Sequence, residues 1–180
     1  MKLSFPAYVC LGLVLLSVEH SLAADAPRTF QVSEFTFERP PAWAWIKTAS
    51  AMRAAQLEVP QPGGGEPAEV VFFYFGPSNG GGTQANVERW LGQFQEPKAQ
   101  LNAKVDELNV RGHKLTFVQA EGTYLSGTPG GPKTPKPNFA LLGAILESKQ
   151  GNVFVKMTGP AALTKTASPT FKKMIQDALK

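Results

Sequence analysis

One pentapeptide in this 180-residue chain has the form of a catalytic nucleophile's setting. Gly76-Pro77-Ser78-Asn79-Gly80 matches G-x-S-x-G, and it follows an apolar run and precedes a helical pattern. A nucleophilic serine uses such a strand-to-helix turn to expose its hydroxyl, and it needs a base within hydrogen-bond reach. Beyond residue 23 the only histidine is His113, so a hydrolase here would pair Ser78 with His113. Its acid would come from Glu88, Glu96, Asp106 or Glu107, all of which precede the histidine. Hydrolases with this elbow place the acid after the serine and before the histidine, and they carry a His-Gly-Gly-Gly type oxyanion segment, which this chain lacks. The pentapeptide therefore reads first as a Gly-rich turn. A serine hydrolase using Ser78 and His113 is the alternative.

The remaining chemistry is thin. Gly80-Gly81-Gly82-Thr83 opens a helical pattern whose free amides could meet an anion. It is not a P-loop, since no Gly-Lys-Ser/Thr follows. Beyond residue 23, one histidine, no cysteine and no D-x-D-x-D-G loop leave no metal-binding pattern. We expect no catalytic, cofactor-binding or metal-ligating residues. Trp43, Trp45 and Trp90 fall at strand and helix spacing, which makes them core aromatics, with Trp43 and Trp45 on one face. Arg89 reads as a surface side chain. Residues 126–138 are Pro- and Gly-rich and carry only Lys133 and Lys136 as charges. They read as a long loop between strands, either functional or disordered.

The elements that would position these residues begin after a leader. Lys2, an apolar run over residues 5–18 and Ser21-Leu22-Ala23 have the order of a secretory signal peptide cleaved after residue 23. The run is shorter than the roughly 20 residues of a membrane span. Cys10 lies inside it, so the exported chain, residues 24–180, has no thiol. The net charge of +4 survives cleavage, because the leader holds one lysine and one glutamate. The lysines and arginines are scattered, which suits a solvated surface and leaves weak polyanion or anionic-membrane binding as a further alternative. Composition, 43% hydrophobic and 18% charged, fits one globular domain and excludes a disordered chain.

Period-two patterns at 35–38 and 43–46 predict short strands around Pro40-Pro41. Residues 51–59 read as extended, with Met52 and Leu57 in the core. Residues 69–75 and 139–147 are apolar toward both faces. Strands at 106–110, 114–125 and 152–158 are separated by tight Gly-containing turns or loops, which favours antiparallel pairing. Val87, Trp90, Leu91 and Phe94 make one stripe of a helix over 83–95, with Thr83 as its cap. A C-terminal helix is expected from Ser168 as cap and Pro169 in its first turn, with Phe171, Met174 and Ile175 facing inward. Strands buried on two faces need two covering layers. The expected fold is α+β: an antiparallel β-sheet with helices on both faces, an α/β/α sandwich.

Several segments carry a resemblance. Trp43 after Pro-Pro, Met52-Arg53-Ala54, Tyr74-Phe75-Gly76 with Gly80-Gly81, residues 86–94, Gly122-Thr123-Tyr124 and residues 154–160 are similar to those of small exported bacterial proteins of unknown function. The element order resembles the PsbP-like fold, found in photosystem oxygen-evolving accessory proteins, a Ran-binding import factor and exported bacterial proteins. The resemblance spans most of residues 30–180. It implies a non-catalytic binding or assembly protein of the cell envelope, periplasmic or extracellular. Its partner would be an envelope protein or small ligand rather than nucleic acid, and no transmembrane segment would remain after cleavage. It carries over no catalytic residue. Secretion of the full-length chain, followed by N-terminal sequencing, is expected to yield a product beginning at Ala24; an uncut leader would refute the cleavage reading.

Overall fold

Strands that are apolar at consecutive positions cannot leave either face to water. Two of the longest strands here have that pattern. The computed structural model describes residues 26–128 and 130–180, so the expected leader lies outside the described residues. Its strands are β1 (Thr29–Val32), β2 (Phe35–Glu38), β3 (Ala44–Trp45), β4 (Ala55–Val59), β5 (Ala68–Tyr74), β6 (Lys104–Val110), β7 (His113–Ser126), β8 (Thr134–Leu146) and β9 (Val153–Pro160). The helices are α1 (Thr83–Leu91) and α2 (Ala161–Asp177). Strands β3 to β9 form one seven-stranded sheet in the order β3-β4-β5-β9-β8-β7-β6, and β1-β2 is a separate hairpin. Every pairing is antiparallel.

The sheet is covered on both sides, as its apolar centre requires. On one face α2 and the β1-β2 hairpin bury Phe37, Leu57, Phe72, Leu142, Met157 and Phe171. On the other, Val87, Trp90, Leu91 and Phe94 close over Val118, Leu141, Ile145 and Phe154. The Trp90 ring lies over Gly143: a methyl there would stand 2.2 Å from its Cζ3. The expected α+β sandwich is thus the observed one. Trp43 is buried in the first core and Trp45 packs against it, edge-on to Phe30 at 5.2 Å.

Four local expectations need correction. The C-terminal helix starts at Ala161, not at Ser168, and Pro169 lies inside it. Pro169 is on the exposed side, so the Lys165 carbonyl it leaves without a donor can turn to water. Burial of Leu163, Thr164 and Ala167 against the sheet extends the helix upstream of its expected start. Thr83 does not cap α1: its hydroxyl donates to Glu147 Oε1 at 2.6 Å. Met52 is 60% exposed, because the strand begins only at Ala55. Residues 126–138 are not a loop throughout, since β7 and β8 continue pairing out to Ser126 and Thr134. Proline is tolerated there because β9 joins β8 only from Phe139 onward, so Pro135 and Pro137 sit where β8 is an edge.

The close approach of Trp90 to Gly143 gives a direct test. Gly143→Ala should lower stability by about 1–3 kcal/mol through overpacking. Combined with Trp90→Leu, it should cost less than the two single changes summed, because the smaller side chain makes room. Urea midpoints of the four proteins measure the coupling, and strict additivity would count against this contact.

Candidate functional site

The G-x-S-x-G turn is packed as a joint. Gly80 (φ 84°) fits beneath Phe154 and Phe75, where a Cβ would come within 2.7 Å and 2.9 Å of their rings. The buried Asn86 amide donates to the carbonyls of Gly80 and Gly82, both at 2.9 Å, and Arg89 Nη1 donates to Asn86 Oδ1 at 2.8 Å. Arg89 is exposed, as expected of a surface residue, and it also braces the turn through Asn86. Ser78 is exposed with φ 63° and lines a small cleft with Ser148, Lys149 and Asn152. His113 opens β7 and packs edge-on against Phe35 at 5.5 Å, on the α2 side of the sheet. Strands β9 and β8 lie between β5, which leads to Ser78, and β7. At ordinary spacing that separation is about 14 Å. The structure does not bring Ser78 and His113 together.

It does bring together residues that the sequence kept apart. Helix α1 packs over β7, β8 and β9. On the same side, Gln56 and Glu58 of β4 and Glu69 and Phe73 of β5 stay half-buried. Between the covered and open halves stands Lys156 of β9. Its ammonium donates to Gln93 Oε1 at 3.0 Å and Tyr124 Oη at 3.2 Å, and it lies 5.7 Å from the Tyr124 ring centre. Tyr124 Oη donates to the same Gln93 oxygen at 3.1 Å. One strand over, Glu69 Oε1 accepts from Arg53 Nη1 at 2.5 Å and from Gln56 Nε2 at 3.0 Å. Among the described residues no carboxylate comes within ion-pair distance of Lys156. It is a cation held by neutral acceptors.

The environment shifts both ring and amine. Burial brings Lys156 down to about 8; the Glu69 charge opposes this, while Arg53 and Lys133 add to it. Burial, with a contribution from Glu69, pushes Tyr124 up to about 12. Sequence reading left Lys156 among the scattered lysines. The available signal was one lysine interrupting the apolar run Val153-Phe154-Val155-Lys156-Met157 on a strand with two covered faces.

A second concavity, of about 550 Å³, lies at the other side of the sheet near its β7 edge. Its wall includes Glu96, Lys104, Glu121, Thr164 and Lys165. Hydrogen bonds from Thr123 hold the Glu96 carboxyl below the usual carboxylate range. Among the described residues no three His, Cys, Asp or Glu side chains gather as a metal site.

Fold and surface together define an α/β/α sandwich on a seven-stranded antiparallel sheet, with one helix-covered face left half open. No protein-family profile matches the chain, and no curated protein matches it. Solved structures similar to it include the following two. One is a protein of unknown function, PA94, from Pseudomonas aeruginosa, at 18% identity and TM-score 0.46, covering 82% of this chain and 92% of that one. The other is the cyanobacterial PsbP (CyanoP) of Synechocystis sp. PCC 6803, at 9% identity and TM-score 0.49, covering 86% of this chain and 94% of that one.

The Lys156 environment has a signed consequence for pH. Folded Lys156 releases its proton near pH 8, whereas an unfolded lysine keeps it to about 10.5. Between those values the unfolded state binds more protons, so stability rises with pH. Tyr124 acts oppositely above pH 10, where only the unfolded tyrosine ionises. The net rise is therefore confined to about pH 8–10 and amounts to about 1–3 kcal/mol. Denaturant midpoints should show it in the native protein and lose most of it in Lys156→Met. A lysine side-chain NMR titration with every lysine near pH 10.5 would contradict the assignment.

Proposed function

We propose that this chain is an exported, non-catalytic binding protein of the cell envelope. It engages a partner or ligand through the half-open face centred on Lys156. The observation that carries the reading is the Lys156 ammonium, enclosed and, among the described residues, hydrogen-bonded only to Gln93 and Tyr124. An enclosed charge without a counter-charge is costly. An anionic group from a partner would supply the missing counter-charge. Half-buried neighbours such as Phe73 and Gln56 would add apolar and polar contact around it.

The alternatives draw less support. For a serine hydrolase, Ser78 and His113 would have to meet across the strands that separate them. For a general polyanion or membrane surface, cations would have to cluster. Instead Arg28, Lys98, Lys114, Lys136 and Lys173 each pair with a nearby acid at different places on the molecule. Among the described residues no helix is long and apolar enough to cross a membrane.

Affinity capture from the organism's own envelope extract tests the reading, with the native protein and Lys156→Gln compared by quantitative mass spectrometry. A specific partner or ligand should be recovered by the native protein and depleted at least tenfold in the variant. Equal recovery by both would remove Lys156 from the binding face. A fluorophosphonate label at Ser78 would overturn the non-catalytic part.

A further inference from the structure

The outer edge of β7 is protected along most of its length, and the exception coincides with the larger cavity. β6 pairs with β7 only as far as Lys104 opposite Gln119. The chain meets the same edge again at Thr123, whose carbonyl accepts from Gln95 N–H at 2.9 Å, and at Leu125, whose N–H donates to Gln93 O at 2.8 Å. Backbone groups alternate sides along a strand. Thr123 and Leu125 turn theirs outward, so Glu121, two residues earlier, does too. Glu121 is opposite Ala140 in the neighbouring strand, but neither β6 nor the 93–96 segment reaches its outer side. One residue's N–H and C=O are therefore open at the mouth of the 550 Å³ cavity, which Glu121 itself lines.

The opposite wall is the start of α2. Ala161, Thr164 and Lys165 line the cavity there. The helix has no side-chain cap and no acidic residue in its first turn, so its first amides remain available to a negative group. Thr164 is 4% exposed and, among the described residues, its hydroxyl has no hydrogen-bond partner. Lys165 is exposed and forms no ion pair among the described residues. Asn102 and Asn138, two non-glycine residues with positive φ (45° and 57°), flank the same space. The register shift between β7 and β8 borders it as well. Strained residues and bulges of this kind collect at ligand sites.

We propose that this cavity binds a short, extended peptide end with a free carboxylate. The peptide's backbone pairs with Glu121 as an added strand residue, and its carboxylate lies against the first turn of α2 beside Lys165. This is strand addition combined with carboxylate capture, two recognition modes that rely on backbone groups. The volume lies in the range of small-ligand pockets. The site is separate from the Lys156 face, so either can fail without the other.

The test uses the full chain, isotope-labelled, with a mixture of random tripeptides bearing free C-termini. The same mixture amidated at the C-terminus, and acetate alone, are the comparison probes. Free tripeptides should shift the amide signals of Glu121, Ala161 and Thr164 and slow hydrogen exchange at Glu121. The amidated mixture, and the exposed-site variant Lys165→Glu, should bind at least tenfold more weakly. No shift at millimolar peptide overturns the proposal. So does equal binding of free and amidated peptides. Acetate reproducing the α2 shifts, with Glu121 exchange unchanged under peptide, reduces the cavity to an anion site and also overturns it.

Discussion

The need to cover both faces of β8 and β9 governs the rest of the molecule. Residues 141–146 of β8 are all buried, as are most of β9. Neither strand can serve as the surface of a two-layer fold, so two covering layers must form. On one side the task is shared by α2, 17 residues long, and the β1-β2 hairpin. On the other it falls to α1, with nine residues. A helix of that length reaches about 13 Å, while seven strands span about 29 Å. The layers are therefore unequal by construction, and α1 must be placed where the apolar demand is greatest.

That inequality creates the functional geography. Trp90 over Gly143 anchors α1 at β8, and the braced turn at Gly80–Gly82 delivers the helix to that point. Beyond its reach the sheet becomes polar: Gln56, Glu58 and Glu69 replace the aliphatic residues of the covered half. Lys156 stands on the boundary, near enough to α1 to be enclosed by Gln93 and Tyr124. Glu69 is already engaged by Arg53 and Gln56. The lowered pKa of Lys156, its cation–aromatic contact and, among the described residues, its missing counter-ion share this single cause.

Much of this architecture was legible in the one-dimensional pattern, because burial periodicity is a local signal. The Val87–Trp90–Leu91 stripe named α1, although the helix ends at Leu91 rather than at 95 and Phe94 lies beyond it, bridged to Tyr124; the continuous apolar runs named β5 and β8 as central. Misreadings arose where tertiary contact overrode local chemistry. Ser168 and Pro169 form a sound helix start, yet two turns upstream are held helical by burial against the sheet. Prolines at 135 and 137 argue for a loop, yet an edge position makes them harmless in a strand. For Ser78 the motif was visible and the separation from His113 was not, since strand order decides that distance.

The sequence by itself determined the covering layers, the element types and which side chains must be core. Each follows from the spacing of apolar residues along the chain. The tertiary structure alone decided which polar residues meet. Arg53, Gln93, Tyr124 and Lys156 are distant in sequence, and none has an unusual local setting apart from the lysine within an apolar strand. Their meeting depends on the order β4-β5-β9-β8-β7 and on the reach of α1. The open backbone at Glu121 likewise depends on where two other segments stop. Local pattern encodes the need for burial, but strand order and register are global, and they set which unburied groups become neighbours.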